Sequence, residues 1–261
     1  MKLKLATINC HEHPKMIRRR RRKILIIVDE IIALKPDIIC LQEINLAATA
    51  KIIDPILSKM GYHNYYLRDR VVNKGGLFFS SFFPIKQAQF TRFTQQGTLL
   101  SKQFADRMLG KGFQHVTLDV KGENIDLINT HLVVAYSKQS KAQTQIQFNQ
   151  VNQLADYLAK FRKKLILAGD LNIKPDSTLY KRFIKKTKLI DQTAGKNFLT
   201  AWSRTIHGVE KIQVQVDYIF TSEDWKTTNQ KIICDQTHFL RGEERYLSDH
   251  FGLAARLEIK Q

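Results

Sequence analysis

The chain has 261 residues, 43% of them hydrophobic and 25% charged, a globular balance that excludes general disorder and leaves ample length for a buried core. Its three cysteines, Cys10, Cys40 and Cys234, are too few and too scattered for a disulfide framework or a zinc ligand set. The formal net charge of +18 at pH 7 points to anionic partners such as nucleic acid or phosphorylated headgroups, or to a generally lysine-rich proteome.

Leu3 to Asn9 alternates as a strand and leads straight from the N-terminus. No signal-peptide core is visible, and no apolar run reaches the roughly 18 residues of a membrane span. A cytoplasmic monomer is expected. Ile24, Ile27, Val28, Ile31 and Ile32 fall at helical spacing and stop at Lys35-Pro36, with the basic run Arg18, Arg19, Arg20, Arg21, Arg22 and Lys23 just before them. Positive charge there opposes the helix dipole, so the run reads as a solvated basic loop or as a phosphate-tracking patch beside Asn9. Asp37 to Glu43 is a buried strand, with Cys40 a buried thiol of a reducing compartment. Ile52 to Met60 is a short helix ended by Gly61. Strands follow around Leu77 to Phe83, Phe113 to Val120 and Ile125 to His131. A Gln-rich polar segment (139–153) precedes a helix marked by Val151, Leu154, Leu158 and Phe161.

Leu165 to Asn172 is an apolar run that ends in Gly169-Asp170-Leu171-Asn172, as a strand buried on both faces would. Period-two alternation puts Asp170 and Asn172 on one side of its exit. Pro175-Asp176-Ser177 opens a helix through Ile184, with Lys181, Arg182, Lys185, Lys186 and Lys188 as its solvated face. Val214 to Phe220 and Phe251 to Ile259 alternate as strands. The order fits one α/β domain over residues 1–261, with helices outside the sheet. Polar residues then collect at strand ends: Asn9, Glu43, His131, Asp170 with Asn172, Asp217, and Ser248-Asp249-His250. Singly, each is an ordinary turn or surface residue. Together they would be costly to gather at the mouth of an apolar sheet without a use.

The segments Thr7-Ile8-Asn9, Lys35 to Glu43, Asn129-Thr130-His131-Leu132, Gly169 to Asn172, Val216-Asp217-Tyr218-Ile219 and Ser248-Asp249-His250 resemble the metal-dependent endonuclease/exonuclease/phosphatase superfamily. Deoxyribonuclease I-like nucleases, abasic-site endonucleases, inositol polyphosphate 5-phosphatases and neutral sphingomyelinases belong to it. The resemblance implies a four-layered α-β-β-α sandwich of two mixed sheets flanked by helices. It implies Mg²⁺, with Mn²⁺ as the alternative, held by Asn9, Glu43 and Asp249, hard oxygen donors of the kind such ions select. Asp170 would position or deprotonate the attacking water, and Asn172 would hold that water or a phosphate oxygen. Asp217 would orient His250, acting as base or as cationic stabiliser, and His131 would donate to a phosphate oxygen. The implied reaction is in-line hydrolysis of an anionic phosphodiester.

One departure bears on the branch. Residues 75–84 carry no acid that could orient His131, while Gly110-Lys111-Gly112-Phe113 and Asn129 to Tyr136 resemble the sphingomyelinase-type branch. Charge and location favour a nuclease, endo- or exonucleolytic, and nucleic acid over phospholipid. The alternatives are a sphingomyelinase-like phospholipid phosphodiesterase, a sugar or inositol phosphatase, and a catalytically dead binding module. Membrane contact would need an exposed apolar hairpin; Leu77 to Phe79 and Phe82-Phe83 are its candidates, and both read as buried strand.

Overall fold

The computed structural model describes residues 1–12, 17–97, 109–135, 141–204, 211–240 and 242–260. Its first half runs β1 (Lys2–Asn9), α1 (Ile17–Ala33), β2 (Ile38–Gln42), α2 (Ala47–Lys59), β3 (His63–Tyr65), β4 (Phe78–Ser81), β5 (Ile85–Arg92), β6 (Gly112–Val120) and β7 (Glu123–His131). There follow α3 (Lys141–Leu158), β8 (Leu165–Asp170), α4 (Thr178–Thr187), β9 (Ile190–Asp191), β10 (Ala201–Arg204) and β11 (Lys211–Val214). The last elements are β12 (Asp217–Thr221), β13 (Trp225–Ile233), β14 (Thr237–Leu240), β15 (Glu243–Tyr246) and β16 (Gly252–Ile259).

Two six-stranded sheets form, in the orders β13-β16-β1-β2-β4-β3 and β5-β6-β7-β8-β12-β9. Each is antiparallel except for one parallel pair, β1 with β2 and β7 with β8. A parallel pair needs a crossover, and the two long amphipathic helices α1 and α3 supply them. Ile24, Ile27, Val28 and Ile31 of α1 pack on the outer face of the first sheet, and Val151, Leu154 and Leu158 of α3 on that of the second. The inner faces meet in a core of Leu3, Leu5, Ile38, Cys40, Ile125, Leu127, Ile166, Ala168 and Ile219. This is the expected sandwich of two mixed sheets between helices.

Side-chain parity explains where the polar residues go. Leu3 and Leu5 face inward, so Thr7 and Asn9 do too; Ile38 and Cys40 carry Gln42 with them, and Ile125 and Leu127 carry Asn129 and His131. The inner faces thus change from apolar to polar along the strands. The first polar layer is a chain of buried amides. Gln42 Nε2 donates to Thr7 Oγ1 (3.0 Å) and to Asn129 Oδ1 (2.8 Å), and Asn129 Nδ2 donates to Gln114 Oε1 (3.0 Å). These bonds tie the two sheets together directly beneath the site.

Several expectations are corrected. The basic run does not precede α1; it forms the helix's first turns, because Arg and Lys are good helix formers despite the dipole. The side chains of Arg18, Arg19 and Arg20 lie outside the described residues, whereas Arg21 and Arg22 are exposed. The Gln-rich segment is helical from Lys141 onward, its inward glutamines bonding backbone rather than water. The strand expected over Val214 to Phe220 breaks at Gln215-Val216, since Thr200 Oγ1 takes the amide protons of Val216 and Asp217 at 3.1 Å each. β11 then pairs with β10, and β12 joins the second sheet. Gly169 has φ 138°, and a Cβ there would lie 2.2 Å from Thr130 O, so only glycine lets β7 and β8 close this near Asp170.

Candidate active site

The register sets the site. His131 pairs with Asp170 across β7 and β8, and Asp170 pairs with Asp217 across β8 and β12. In the facing sheet Asn9 pairs with Gln42, the residue before Glu43, and β16 brings up Asp249 and His250 beside the end of β1. The Asp249-His250 backbone is clamped: Trp202 N–H donates to Asp249 O at 3.0 Å, Ala201 bridges to His250, and Ser248 Oγ donates to Asn9 O at 2.7 Å.

Of the expected site residues, Asn9, Glu43, His131, Asp170, Asn172, Asp217 and His250 meet in one network of hydrogen bonds and ion-pair contacts. Asn9 Nδ2 donates to Asp170 Oδ2 (3.0 Å) and to Glu43 Oε1 (3.2 Å), linking the carboxylates of the two sheets. His131 Nε2 lies 3.3 Å from Asp170 Oδ2 and 3.8 Å from Glu43 Oε1. His250 Nδ1 contacts Asp217 Oδ2 at 2.8 Å, and its Nε2 faces Asp170 Oδ2 at 3.8 Å. Asp249 stands at the more open rim, bonded to His11. Asn172 does not share the strand parity of Asp170; it turns out of β8 with φ 53°, its N–H donating to Asp170 Oδ1 (2.9 Å) and its Nδ2 to Leu132 O (2.9 Å). Asn9 Oδ1 accepts the His11 N–H at 2.9 Å, while its Nδ2 bridges the two carboxylates.

Charge state follows from burial and neighbours. Burial, then the nearby Asp217 charge, raises Asp170 to about 7. Burial alone would lower His250, but Asp217 and Asp170 outweigh it and hold the imidazole well above its ordinary range. His131 is pushed well below its own, first by burial and then by the Lys111 charge. The protonated His250 imidazole is thus held between the Asp217 and Asp170 carboxylates. Their ligand atoms lie within 4.8 Å of one another, a spacing a metal could also use. The imidazole bonded to Asp217 fits a proton relay better, because all three side chains are shut away from the water a hard ion retains. Glu43 and Asp249, with side-chain exposures of 25% and 41%, present carboxylate oxygens at the open mouth instead. That donor set suits a divalent cation keeping several waters.

Two features escaped sequence reasoning. Lys111, only 4% exposed, extends from the start of the β6 region to place Nζ 2.8 Å from His131 Nε2 and 3.0 Å from Leu132 O. A cation thus stands against His131 where an orienting acid was missing. The second is the hairpin of β14 and β15, which ends two residues before Ser248 and carries Phe239 at 74% exposure. Its base is tied to α1 by Lys23 Nζ donating to Tyr246 O (3.2 Å) and by His238 against Glu30 (2.6 Å). The earlier hairpin candidates are different: Phe78 and Phe79 are buried, and Phe82 lies on Tyr62 with ring centroids 3.9 Å apart. Tyr136, the end of a segment singled out in the sequence, lies outside the described residues.

Two facing mixed sheets whose strand ends gather two buried carboxylates, an imidazole bonded to one of them and a mouth of hard oxygen donors define a class of α/β sandwich hydrolases. The chain belongs to the Endonuclease/Exonuclease/phosphatase family, whose model matches residues 6–250. It is 25% identical over 272 aligned positions to a Drosophila melanogaster protein named "Putative neutral sphingomyelinase", covering 99% of this chain and 61% of that one. The chain thus spans less than two thirds of that relative. Among solved structures, sphingomyelinase C from Streptomyces griseocarneus superposes with a TM-score of 0.73 at 18% identity, covering 98% of this chain and 99% of the other. D. rerio TDP2 complexed with a single-strand DNA product superposes at 0.70 and 15% identity, covering 98% and 99%. At such identities these likenesses establish the fold.

Proposed function

We propose that the chain is a divalent-metal-dependent phosphodiesterase that hydrolyses phospholipid headgroup esters at a membrane surface. The observation that carries the lipid assignment is the Phe239 hairpin. An aromatic ring at 74% exposure, on a hairpin that ends two residues before Ser248 and whose base is tied to the basic start of α1, has the makeup of a surface that enters an anionic interface. The similarity to the Drosophila protein supports the same reading. A nuclease remains the second reading, favoured by the +18 charge, which attracts nucleic acid and anionic lipid alike.

In this mechanism Glu43 and Asp249 hold the ion, which when bound supplies Lewis-acid polarisation of the phosphate. Asp170 accepts a proton from the attacking water, its carboxylate aimed by Asn9 and by the Asn172 N–H. His250, kept cationic by Asp217, faces the developing negative charge and donates to the leaving oxygen. The Lys111 ammonium donates to His131 Nε2, so that nitrogen is an acceptor in the resting state. Once substrate enters, Lys111 can turn onto a phosphate oxygen and free the imidazole. Gln147 Nε2 braces the two site loops from behind by donating to Val133 O (3.0 Å) and Asn172 O (2.6 Å).

The test is a substrate panel. With Mg²⁺ the protein should release phosphocholine from sphingomyelin vesicles, and chelator should abolish the release. Rapid cleavage of plasmid, single strands or abasic duplex with inert vesicles would install the nuclease reading instead. Because Asp170 acts as its anion, kcat/KM should climb with pH to a plateau above about 7. The Asp170→Asn variant should be slow and lack that climb. A wild-type profile flat between about pH 5 and pH 8 would place proton acceptance elsewhere.

A further inference from the structure

We propose that the outer face of the first sheet carries a second binding site, for a small organic phosphomonoester, built by Lys4, Arg256 and Lys231. A cavity of about 350 Å³ opens there, floored by Ala6 and Ala254 and walled by Leu34 and Pro36 where the chain leaves α1. Lys4 precedes Asn9 by five residues on β1, so the cavity lies roughly 17 Å back along the strand. Leu3 and Leu5 face inward, so Lys4 and Ala6 face outward, away from the inner faces that gather Asp170 and His250. The site is therefore separate from the catalytic one.

The strand register shows which charge is missing there. Outward residues of β13, β16 and β1 form rows across the sheet. In the row of Lys226, Glu258 and Lys2, the central acid pairs with both lysines at 3.5 Å. In the next row Arg256 stands directly opposite Lys4, with Thr228 on its other side and no acid. Like charges opposite one another destabilise a sheet. The third row, Lys231, Ala254 and Ala6, adds another ammonium and leaves open space above two alanines. Among the described residues, none of these three cations makes an ion pair. Asp37, beside Pro36, has its Oδ2 on the Lys4 backbone N–H at 2.7 Å.

The third row exists because β13 bulges. Its register shifts between Thr228 and Lys231, and Asn229 turns left-handed with φ 54°. The bulge sets Lys231 opposite Ala254 and brings Asn229 into the cavity lining. A phosphomonoester, at about −1.5 to −2 charge near neutral pH, would supply the anion that Glu258 supplies one row away. The Arg256 guanidinium suits two phosphate oxygens at once. Alanine, leucine and proline in the lining suit a compact organic group, and the volume is that of a small-molecule site.

Titration of the full chain with phenyl phosphate in the presence of chelator, followed by amide NMR, tests the assignment without the catalytic ion. Saturable shifts should appear at Ala6, Ala254 and Arg256 and not at Asp170 or His250. Benzoate, with one charge, should bind at least tenfold more weakly. Lys4→Gln and Arg256→Gln should each weaken phenyl phosphate by roughly tenfold, the loss expected for one charged hydrogen bond. Neither should lower the Tm of the free protein, because each removes a like-charge pair. Ala254→Leu fills the cavity and keeps every charge, so it should also abolish binding. No saturable shift, shifts confined to the catalytic residues, or equal affinity for benzoate would overturn the proposal. So would wild-type affinity in Arg256→Gln or in Ala254→Leu.

Discussion

His250→Ala should lower kcat by roughly 10²–10⁴-fold, the range for removing a positioned proton-transfer group. Adding Asp217→Asn to that variant should cost almost nothing further. The two side chains share a 2.8 Å bond, and the Asp217 charge is the chief reason His250 stays protonated in a buried place. Once the imidazole is gone, Asp217 has no hydrogen-bonded catalytic partner left. Asp217→Asn alone should therefore give a milder version of the same defect, and the pair should be far from additive. Rates that fall by the product of the single losses would show that Asp217 does not act through His250.

Lys111→Met should reduce turnover by roughly 10²–10³-fold, the loss typical of one preorganised donor to developing charge, while leaving Mg²⁺ affinity nearly unchanged. Methionine keeps the stem's apolar bulk, which matters for a side chain buried between His131 and Leu132 O. The signature beyond rate concerns His131. Removing the Lys111 cation relieves one cause of its depressed pKa, so His131 should titrate higher by NMR in the variant. A Lys111→Met enzyme with wild-type turnover would make the lysine a structural prop. Lys111→Arg provides the conservative control, since it keeps the charge with a different shape.

Much of this site was legible because strand parity is rigid. Asn9, Asp170 and Asp217 stand where period two, counted from buried Leu5, Ala168 and Ile219, must place them. Asn172 broke that count because the chain leaves β8 directly after Asp170 and turns left-handed. Long-range neighbours were not readable in the same way. Nothing local to Lys111 shows that its side chain ends against His131, because that contact depends on the register of β6 against β7. The glutamines of α3 read as a polar segment ahead of the helix since their polarity is plain in sequence; their burial against loop carbonyls is a tertiary fact. The Phe239 hairpin was hidden for the opposite reason. Phe239 and Leu240 alone make no apolar run, yet Phe239 stands 74% exposed on the hairpin.

The membrane-facing phosphodiesterase is tested most directly by comparing Phe239→Ser with the wild type on two substrates. Phe239 is no part of the cluster of Asp170, Asp217 and His250, so hydrolysis of soluble bis(nitrophenyl) phosphate should be unchanged. Burying a phenylalanine ring is worth about 1.5–3 kcal/mol, so phosphocholine release from sphingomyelin vesicles should fall by roughly 10–100-fold with vesicle binding. Equal activity of the two proteins on vesicles would contradict the account.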